Sequence, residues 1–489
     1  MGPVLPIALE LPPSGSRTRQ QALHRQLQAA IAEGRLGDGL RLPGSRALAQ
    51  ACGVSRNCVV AVYERLLAEG YVLARNGGGT FVAPVRDATR KDLRPASDPR
   101  EKLAPAWREP PTVIRFSPAQ DFRFDFAVGV PDRSEFPSTL WRRLTARALR
   151  EQSRMPATYL DPEGRPSLRE AIAAHASFLR AVGCSASEVL VTSGAQQAFD
   201  LIARLFVQAG KTIVAMEEPG YPPMRRAFAA AGARIAPIAV DMEGMVVEDI
   251  PADAQIVCVT PSHQFPMGPA LSARRRGALL AFAEHHGTLI VEDDYDSEFL
   301  GSGRPLDALQ TLDRAQSVFY VGTFSKSLFP SLRIGYVIAP AWALPALTAA
   351  KQQADWHGAA TTQDTLATFI AQGHLARHIR RMRKRYAERR QVLMHALARH
   401  ATGLLHAVPY GGGLHATALL RDDVDARSLA DAAADAGIRV ASIAGFCMQG
   451  PTPNGLVFGL GLIPTERIDD GVAALMRCAR ALQRSVSAS

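Results

Sequence analysis

The stretch Tyr320-Val-Gly-Thr-Phe-Ser-Lys326-Ser-Leu-Phe-Pro-Ser-Leu-Arg333-Ile-Gly-Tyr336 places one lysine shortly after an apolar run. Residues 318–321 predict a buried strand, and small and hydroxyl side chains follow it. Desolvation and nearby positive charge lower the pKa of a lysine, and an unprotonated amine can attack a carbonyl. The stretch therefore predicts that Lys326 is catalytic and holds a carbonyl compound as a Schiff base.

A second apolar run, residues 288–291, ends in carboxylates and a tyrosine that include Asp293 and Tyr295. Ligands of open α/β sheets gather beyond the carboxyl ends of the strands. A pyridoxal phosphate (PLP) site needs a carboxylate against the pyridinium nitrogen, a lysine and a phosphate cradle. Each feature alone has a plainer interpretation: a solvated surface lysine, or Asp-Asp as turn chemistry or a divalent-metal site. The combination, in this order, favours PLP.

Three further segments fit the same site. Residues 192–198, Thr-Ser-Gly-Ala-Gln-Gln-Ala, follow an apolar run and open a helical one, where backbone N–H groups bind phosphate well. Many strand–helix junctions share that pattern. The loop at 218–222 presents the aromatic side chain of Tyr221. His263 could be a ligand or a base, and we expect it to line or support the pocket instead.

Composition bounds the class of protein. With 489 residues the chain is expected to form two or three domains, and its formal net charge of +10 permits nucleic-acid binding. The six cysteines are scattered without a Cys-x-x-Cys pair, so neither a zinc site nor a disulfide framework is indicated, and no metal is expected. We see no signal peptide and no apolar run of membrane-spanning length. A cytoplasmic protein is expected.

Residues 15–84 predict a separate winged helix-turn-helix domain. Leu23, Leu27 and Ile31 recur at helical spacing, and two shorter helices with predicted N-caps Ser45 and Ser55 follow. A glycine-bearing turn at 52–54 separates these two helices. Two β runs around a glycine loop, residues 71–82, then predict a hairpin or wing.

This domain is predicted to bind DNA. The first turn of a recognition helix enters the major groove, where Arg56 can pair with guanine and Asn57 with adenine. The alternative is a three-helix packing module with a solvated charged face. The predicted DNA contacts are Arg41, Ser45, Arg46, Ser55, Arg56, Asn57, Arg75 and Gly78.

The rest of the chain predicts a linker and an α/β domain. Residues 85–122 are rich in proline and charge, which is typical of a linker. Residues 123–489 carry short β-branched runs at 188–192, 212–216, 255–259, 288–291 and 318–321, with helical stretches such as 195–206 and 270–285 between them. This order predicts a mostly parallel, doubly wound sheet. From about residue 375, the basic helix 377–390 leads into a smaller C-terminal α+β unit.

The motifs resemble a known family over nearly the whole chain. Leu-Pro-Gly-Ser-Arg-x-Leu-Ala, Gly-Val-Ser-Arg-x-x-Val and Gly-Gly-Gly-Thr-Phe-Val are similar to the GntR-type winged helix-turn-helix. Pro-Ser-His-Gln-Phe-Pro-x-Gly, Glu-Asp-Asp-Tyr-Asp-Ser-Glu-Phe and Gly-Thr-Phe-Ser-Lys-x-Leu-Phe-Pro-x-Leu-Arg resemble the MocR subfamily, in which that module is fused to a fold-type-I PLP aminotransferase-like domain. The resemblance implies that Arg46 and Arg56 are the principal DNA contacts.

The resemblance also implies a set of cofactor contacts. Lys326 would carry PLP, Asp293 would pair with the ring nitrogen, and Tyr295 would hydrogen-bond the ring oxygen. Tyr221 would line or stack on the ring. The implied phosphate contacts are Gly194, Ala195, Gln196, Ser325 and Arg333. A homodimer with exchanged winged domains is also implied.

Two positions depart from ordinary aminotransferases. Phe265 stands where those enzymes place an asparagine near the ring oxygen, and no arginine is found near Val457, where one binds the substrate's α-carboxylate. Three hypotheses remain open: a transcriptional regulator that senses PLP or a PLP–amino adduct, a working aminotransferase with an appended DNA-binding module, and a DNA-binding protein that no longer binds PLP. The expected partners are double-stranded DNA and an effector that is PLP, an amino acid or an amine.

Overall fold

A computed structural model describes residues 5–13, 16, 18–75, 78–84, 98, 102–103, 105–108, 122–300, 307–409, 412–448 and 452–487. The chain divides into two compact units, Met1–Lys102 and Leu103–Ser489. Most of the predicted linker, residues 85–122, lies outside the described residues. Among the described helices, none combines the length and the apolar character that a membrane-spanning helix needs.

The first unit contains three helices and a hairpin around one apolar core. Leu23, Leu27, Leu48, Val62 and Leu66 are almost fully buried in it. The hairpin strands are antiparallel, as expected for a wing. The elements are α1 (Arg19–Ala32), α2 (Ser45–Cys52), α3 (Arg56–Ala68), β1 (Val72–Arg75) and β2 (Gly79–Val82).

One of the two predicted helix N-caps is observed in the structure. Ser55 caps α3, and its hydroxyl accepts a hydrogen bond from Cys58 N at 3.2 Å. The prediction for Ser45 is wrong, because Gly44 already has the extended backbone of an N-cap and Ser45 is the first helical residue. The Ser45 hydroxyl instead lies 3.5 Å from Arg56 Nε and joins the starts of α2 and α3.

The second unit is built from alternating helices and strands and then a smaller C-terminal part. Its helices are α4 (Pro105–Arg108), α5 (Ser138–Gln152), α6 (Pro166–Arg180), α7 (Ala195–Phe206), α8 (Pro222–Ala230), α9 (Ala273–His286), α10 (Leu309–Leu312), α11 (Leu344–Asp355), α12 (Ala360–Ala371), α13 (His374–His400), α14 (Ala426–Asp435) and α15 (Ile468–Ser487). Its strands are β3 (Phe124–Asp125), β4 (Val189–Thr192), β5 (Ile213–Glu218), β6 (Arg234–Asp241), β7 (Gly244–Met245), β8 (Ile256–Val259), β9 (Leu289–Asp294), β10 (Val318–Thr323), β11 (Gly335–Ile338), β12 (Leu405–Ala407), β13 (His415–Leu420), β14 (Ile438–Arg439), β15 (Ala441–Ser442) and β16 (Gly455–Gly459).

The large sheet has the strand order β4-β11-β10-β9-β8-β5-β6-β7. Five central strands, β10, β9, β8, β5 and β6, are parallel, which confirms the predicted mostly parallel sheet. Successive residues of β8 join different apolar clusters: Ile256 packs with the helices of one face and Val257 with those of the other. Because both faces are covered by helices, β8 is apolar and buried along its whole length.

The topology brings the predicted site together at one edge of the sheet. Asp293, near the end of β9, lies opposite Val321 of the parallel β10, and Lys326 follows β10 closely. The antiparallel β11 pairs with both β10 and β4, so Gly335 lies opposite Thr323 on one side and Thr192 on the other. A separate four-stranded sheet, β12-β13-β16-β15, forms the C-terminal part with α14 and α15.

Candidate functional site

Lys326 lies in the loop that follows β10 in the second unit. Its Nζ donates a hydrogen bond to Gly129 O at 2.6 Å. Burial lowers the pKa of Lys326, while the carboxylates of Asp296 and Asp293 act to raise it. The expected nearby positive charge is therefore not what lowers this pKa; desolvation alone does so. A lysine held this way is prepared to act as a nucleophile.

Asp293 is the second-last residue of β9, and its buried carboxyl group belongs to a residue with only 4% of its surface exposed. Its Oδ1 has no hydrogen-bond partner among the described residues. Burial, together with the charge of Asp294, raises the pKa of Asp293 to about 8. A buried polar atom without a partner is costly, so an arrangement of this kind points to a group that is missing from the protein alone. A protonated ring nitrogen is the partner that such a carboxylate fits.

Asp294 has a different neighbourhood from Asp293. It forms a buried ion pair with Arg180, with 2.8 Å between Nε and Oδ2, and it accepts a hydrogen bond of 2.6 Å from the Tyr320 hydroxyl. Because these bonds already occupy Asp294, we do not expect it to contact a ligand. They also fix the end of β9. The Asp-Asp pair thus consists of one supported carboxylate and one unpartnered carboxylate.

Tyr295 follows this pair and is half-buried. Its hydroxyl lies 2.9 Å from His263 O and 3.1 Å from His263 Nδ1. Tyr221 is also half-buried, and its ring meets Phe265 edge-on with 5.6 Å between centroids. Phe265 in turn contacts Tyr295 and Phe446. The position where ordinary aminotransferases have an asparagine is therefore part of an aromatic cluster in this protein.

The predicted phosphate cradle lies at the start of α7. Gly194, with φ of 79°, is its N-cap, and Ala195 and Gln196 are its first residues, whose N–H groups have no partner within the helix. A Cβ at position 194 would lie 2.8 Å from Arg333 Nη2, so the close approach requires glycine. Arg333 Nη2 donates to Ser193 O at 2.7 Å, and Ser325 N donates to Thr323 Oγ1 at 3.2 Å. Backbone donors and a guanidinium therefore converge here, as a phosphate requires.

Most of the predicted DNA contacts lie at the start of α2, at the start of α3 or in the wing. Arg46, Ser55, Arg56 and Asn57 are exposed, and Ser45 is half-buried beside Arg56. Arg75 is exposed with its guanidinium 4.9 Å from the centre of the Phe81 ring. Arg41 pairs with Phe81 in an isolated antiparallel bridge, and Gly78 directly precedes β2, the returning strand of the wing. The wing tip residues 76 and 77 lie outside the described residues.

Several residues around the site were not assigned a role from the sequence. Gly129 supplies the hydrogen-bond partner of Lys326 from a loop after β3, and no local pattern indicates it. Asp296 and His415 are buried near His263, which was expected only to support the pocket. Glu217 is also buried, and accepts hydrogen bonds from Thr260. The Glu-Asp-Asp-Tyr-Asp run could have indicated Asp296, since it adds a third carboxylate beyond the strand end.

The raised pKa of Asp293 predicts how the stability of the PLP-free protein depends on pH. Because this folded-state pKa of about 8 exceeds the ordinary 3.8, stability is present at low pH and is lost as the pH rises through about 8. We expect Asp293→Asn to lose less unfolding free energy than wild type between about pH 5 and about pH 8, by on the order of 4 kcal/mol. Chemical denaturation at both pH values measures this.

The control for this prediction is Asp423→Asn. Its hydrogen bonds from Arg421 lower the pKa of the exposed Asp423 carboxyl to about 2, so it titrates below the chosen window. Glu217 and Glu292, whose pKa burial raises to about 7, titrate in both proteins and cancel in the comparison. Equal pH slopes in wild type and Asp293→Asn would show that Asp293 is already ionised in the folded protein.

Comparison with known families agrees with the two-part architecture. The model of the gntR family of bacterial regulatory proteins matches residues 19–82, and the model of aminotransferase class I and II matches residues 124–452. Within the described residues, each match falls in one of the two compact units. The matched ranges leave the predicted linker between them.

Curated relatives match most of the chain. A probable rhizopine catabolism regulatory protein MocR of Rhizobium meliloti is 34% identical over 95% of this chain and 94% of its own length. The pyridoxine biosynthesis transcriptional regulator PdxR of Corynebacterium glutamicum is 33% identical over 94% of each. The transcriptional regulator TauR of Rhodobacter capsulatus is 37% identical over 82% of this chain and 84% of its own.

Solved structures of aminotransferases match about three quarters of this chain. Kynurenine aminotransferase of Pyrococcus horikoshii, solved with PMP, has a TM-score of 0.69 and 26% identity over 74% of this chain and 92% of its own. LysN, an α-aminoadipate aminotransferase of Thermus thermophilus complexed with N-(5'-phosphopyridoxyl)-L-leucine, has a TM-score of 0.68 and 29% identity over 74% of this chain and 92% of its own.

Proposed function

Since this chain belongs to the MocR type of GntR-family bacterial transcriptional regulators, with a DNA-binding domain joined to an aminotransferase class I and II domain, we propose that it binds PLP and that occupancy of the PLP site changes its affinity for DNA. The observation that carries this proposal is the unpartnered, buried oxygen of Asp293. A protein that had lost PLP binding would gain stability by replacing that carboxyl with an apolar or bonded group.

The residues of this chain divide the work of holding PLP. Lys326 brings an amine whose pKa burial lowers, and Asp293 brings an unpartnered buried oxygen that would accept a hydrogen bond from the protonated ring nitrogen. Tyr295 supplies a hydroxyl for the ring oxygen, and Tyr221 forms an aromatic wall. The phosphate would be held by Gly194, Ala195, Gln196, Ser325 and Arg333. When bound, PLP supplies an electrophilic aldehyde and a ring that accepts electrons.

The effector in this proposal is PLP itself or an amine that lacks an α-carboxylate. Val457, near which aminotransferases carry a carboxylate-binding arginine, is fully buried in β16 between Thr417 and Ala441. Loss of a charge-assisted pair weakens carboxylate binding by about 1.5–3 kcal/mol. This difference favours a sensor over an efficient transaminase of ordinary amino acids.

The proposal includes a homodimer that exchanges its winged domains and binds two half-sites. Operators of dimeric helix-turn-helix proteins have half-sites spaced by whole helical turns, because each recognition helix needs a major groove. A ligand can shift such a protein between states only by its differential affinity for them. PLP at the site of Lys326 would therefore have to bind one dimer state more tightly than the other.

A DNA-binding titration on the region upstream of the chain's own coding sequence tests the proposal. We expect the Kd for DNA to change about 5- to 150-fold on adding PLP, which is the usual range of coupling between two sites. A panel of amino acids and simple amines, added with PLP, identifies the effector. A protein that stays colourless in PLP would be a plain DNA binder, and a coloured protein with an unchanged Kd would not be a PLP sensor.

A further inference from the structure

A buried histidine–carboxylate pair stands directly behind Tyr295. His263 and Asp296 have 3% and 1% of their surfaces exposed. His263 Nδ1 lies 3.0 Å from Asp296 Oδ1 and 3.1 Å from the Tyr295 hydroxyl. The three side chains therefore form a continuous chain from the interior to the predicted ring-oxygen position.

The protonation of this pair follows from its contacts. Burial acts to raise the pKa of Asp296, but the hydrogen bonds and charges of His263 and the N–H of Leu414 outweigh it, so the pKa is lowered. Leu414 N donates to Asp296 Oδ2 at 3.0 Å. An ionised carboxylate only accepts hydrogen bonds, so Nδ1 of His263 must carry the proton between them.

That proton fixes what the Tyr295 hydroxyl can do. Since Nδ1–H is a donor, Tyr295 cannot give its own proton to that nitrogen, and it donates to His263 O at 2.9 Å instead. Because Nδ1 carries its own hydrogen, it cannot compete with a ligand for the hydroxyl hydrogen of Tyr295, which can rotate toward that ligand. Phe265 offers the ring oxygen no hydrogen bond, so Tyr295 has to supply the donor that an asparagine supplies elsewhere.

We propose that His263 and Asp296 are positioning residues that hold the Tyr295 hydroxyl as a hydrogen-bond donor to the ring oxygen of PLP, in compensation for Phe265. This inference rests on the proposed binding of PLP. The pair also contacts the C-terminal part, because Gly413 is so close that a Cβ there would lie 2.6 Å from Asp296 Oδ2. A ligand that shifts the Tyr295 hydroxyl would therefore also shift the contacts of this pair with Gly413, just before β13.

A metal site is the other chemistry that these residues could suggest. His263, Asp296 and His415 place one ligand atom each within 4.8 Å of one another. However, His263 and Asp296 are bonded to each other, and His415 Nε2 lies 3.1 Å from Pro266 O. The Arg390 guanidinium also donates to His415 O, so a positive charge already lies close to these residues and opposes a second cation. Burial, and to a smaller extent the electrostatic effect of His263, lowers the pKa of His415 to about 3, so His415 remains neutral.

The test is the pH titration of the visible absorbance of PLP-saturated protein. Loss of a donor makes the ring oxygen more basic, so Tyr295→Phe should move the midpoint to higher pH. We expect His263→Phe and Asp296→Asn to move it in the same direction by about half a pH unit or more, the scale of one hydrogen bond. The matched control is His24→Phe, which removes a buried histidine that lies 2.7 Å from the partly exposed Glu69 carboxylate in the other unit.

The outcomes separate this inference from the proposed function. A wild-type protein without visible absorbance would remove the proposed PLP binding itself. A coloured wild type with unshifted midpoints in His263→Phe and Asp296→Asn would overturn the positioning role alone. Asp296→Asn preserves shape, so it serves if His263→Phe fails to fold. Stoichiometric zinc or another divalent metal in the purified protein, lost in both variants, would overturn it in favour of a metal site.

Discussion

Lys326→Ala is expected to abolish the visible absorbance that wild type acquires with PLP, and to leave no PLP attached after borohydride reduction. The reason is that the covalent bond needs an amine at the end of the site, and alanine offers none. In wild type, the reduced bond should be found by peptide mass mapping on Lys326. The same variant should bind DNA with a Kd that no longer responds to PLP.

The control for this variant is Lys384→Ala, an exposed lysine on α13. It should retain the colour, the reduced PLP mass and the PLP response. Lys351 is the informative competitor, because it is buried near the phosphate cradle and pairs with Asp355, which also accepts from Gln197. PLP found on Lys351 in wild type, or colour retained by Lys326→Ala, would show that the lysine is wrongly assigned.

Much of the large sheet could be predicted because its strands are locally distinctive. The runs that became β4, β5, β8, β9 and β10 are short, apolar and β-branched, and all five were predicted from the sequence. β9 runs on to Asp294, because the carboxylates continue the pairing with β10. The strand β11 was not predicted. It is only four residues long and follows Arg333, whose backbone has a positive φ of 51°, so its sequence does not distinguish a strand from a loop.

The site divides in the same way. Lys326, Asp293 and Tyr295 could be proposed from the sequence because each stands shortly after a recognisable apolar run, and the strand order places the ends of these runs at one edge of the sheet. Gly129 and Gly413 could not be found, because their importance comes from contacts with residues far away in the chain: Lys326 for one, Asp296 for the other. The cap at Ser45 was misassigned by one position, where the preceding glycine took the extended conformation.

Arg56→Ala is expected to weaken binding to the chain's own operator about 5- to 150-fold, the equivalent of the 1–3 kcal/mol carried by a good bidentate contact to a base. Arg56 is the first residue of α3, is exposed and extends beside Ser45 at the start of α2. A side chain at that end of a recognition helix reaches base edges, so its loss should also relax the preference at one base pair. Competition assays against operators changed at single base pairs measure both effects.

Two arginines of the same domain separate base reading from simple attraction to phosphate. Arg65, near the other end of α3, is paired with Glu69 at 2.8 Å, so Arg65→Ala should leave operator affinity nearly unchanged. Arg75→Ala in the wing should weaken all sequences alike and reduce the slope of log K against log salt by about 0.9, since one phosphate contact is lost. Arg56→Ala should instead discriminate less while keeping that slope. If Arg56→Ala and Arg75→Ala behave identically, Arg56 contacts phosphate, and the base preference must come from Asn57 or another residue at the start of α3.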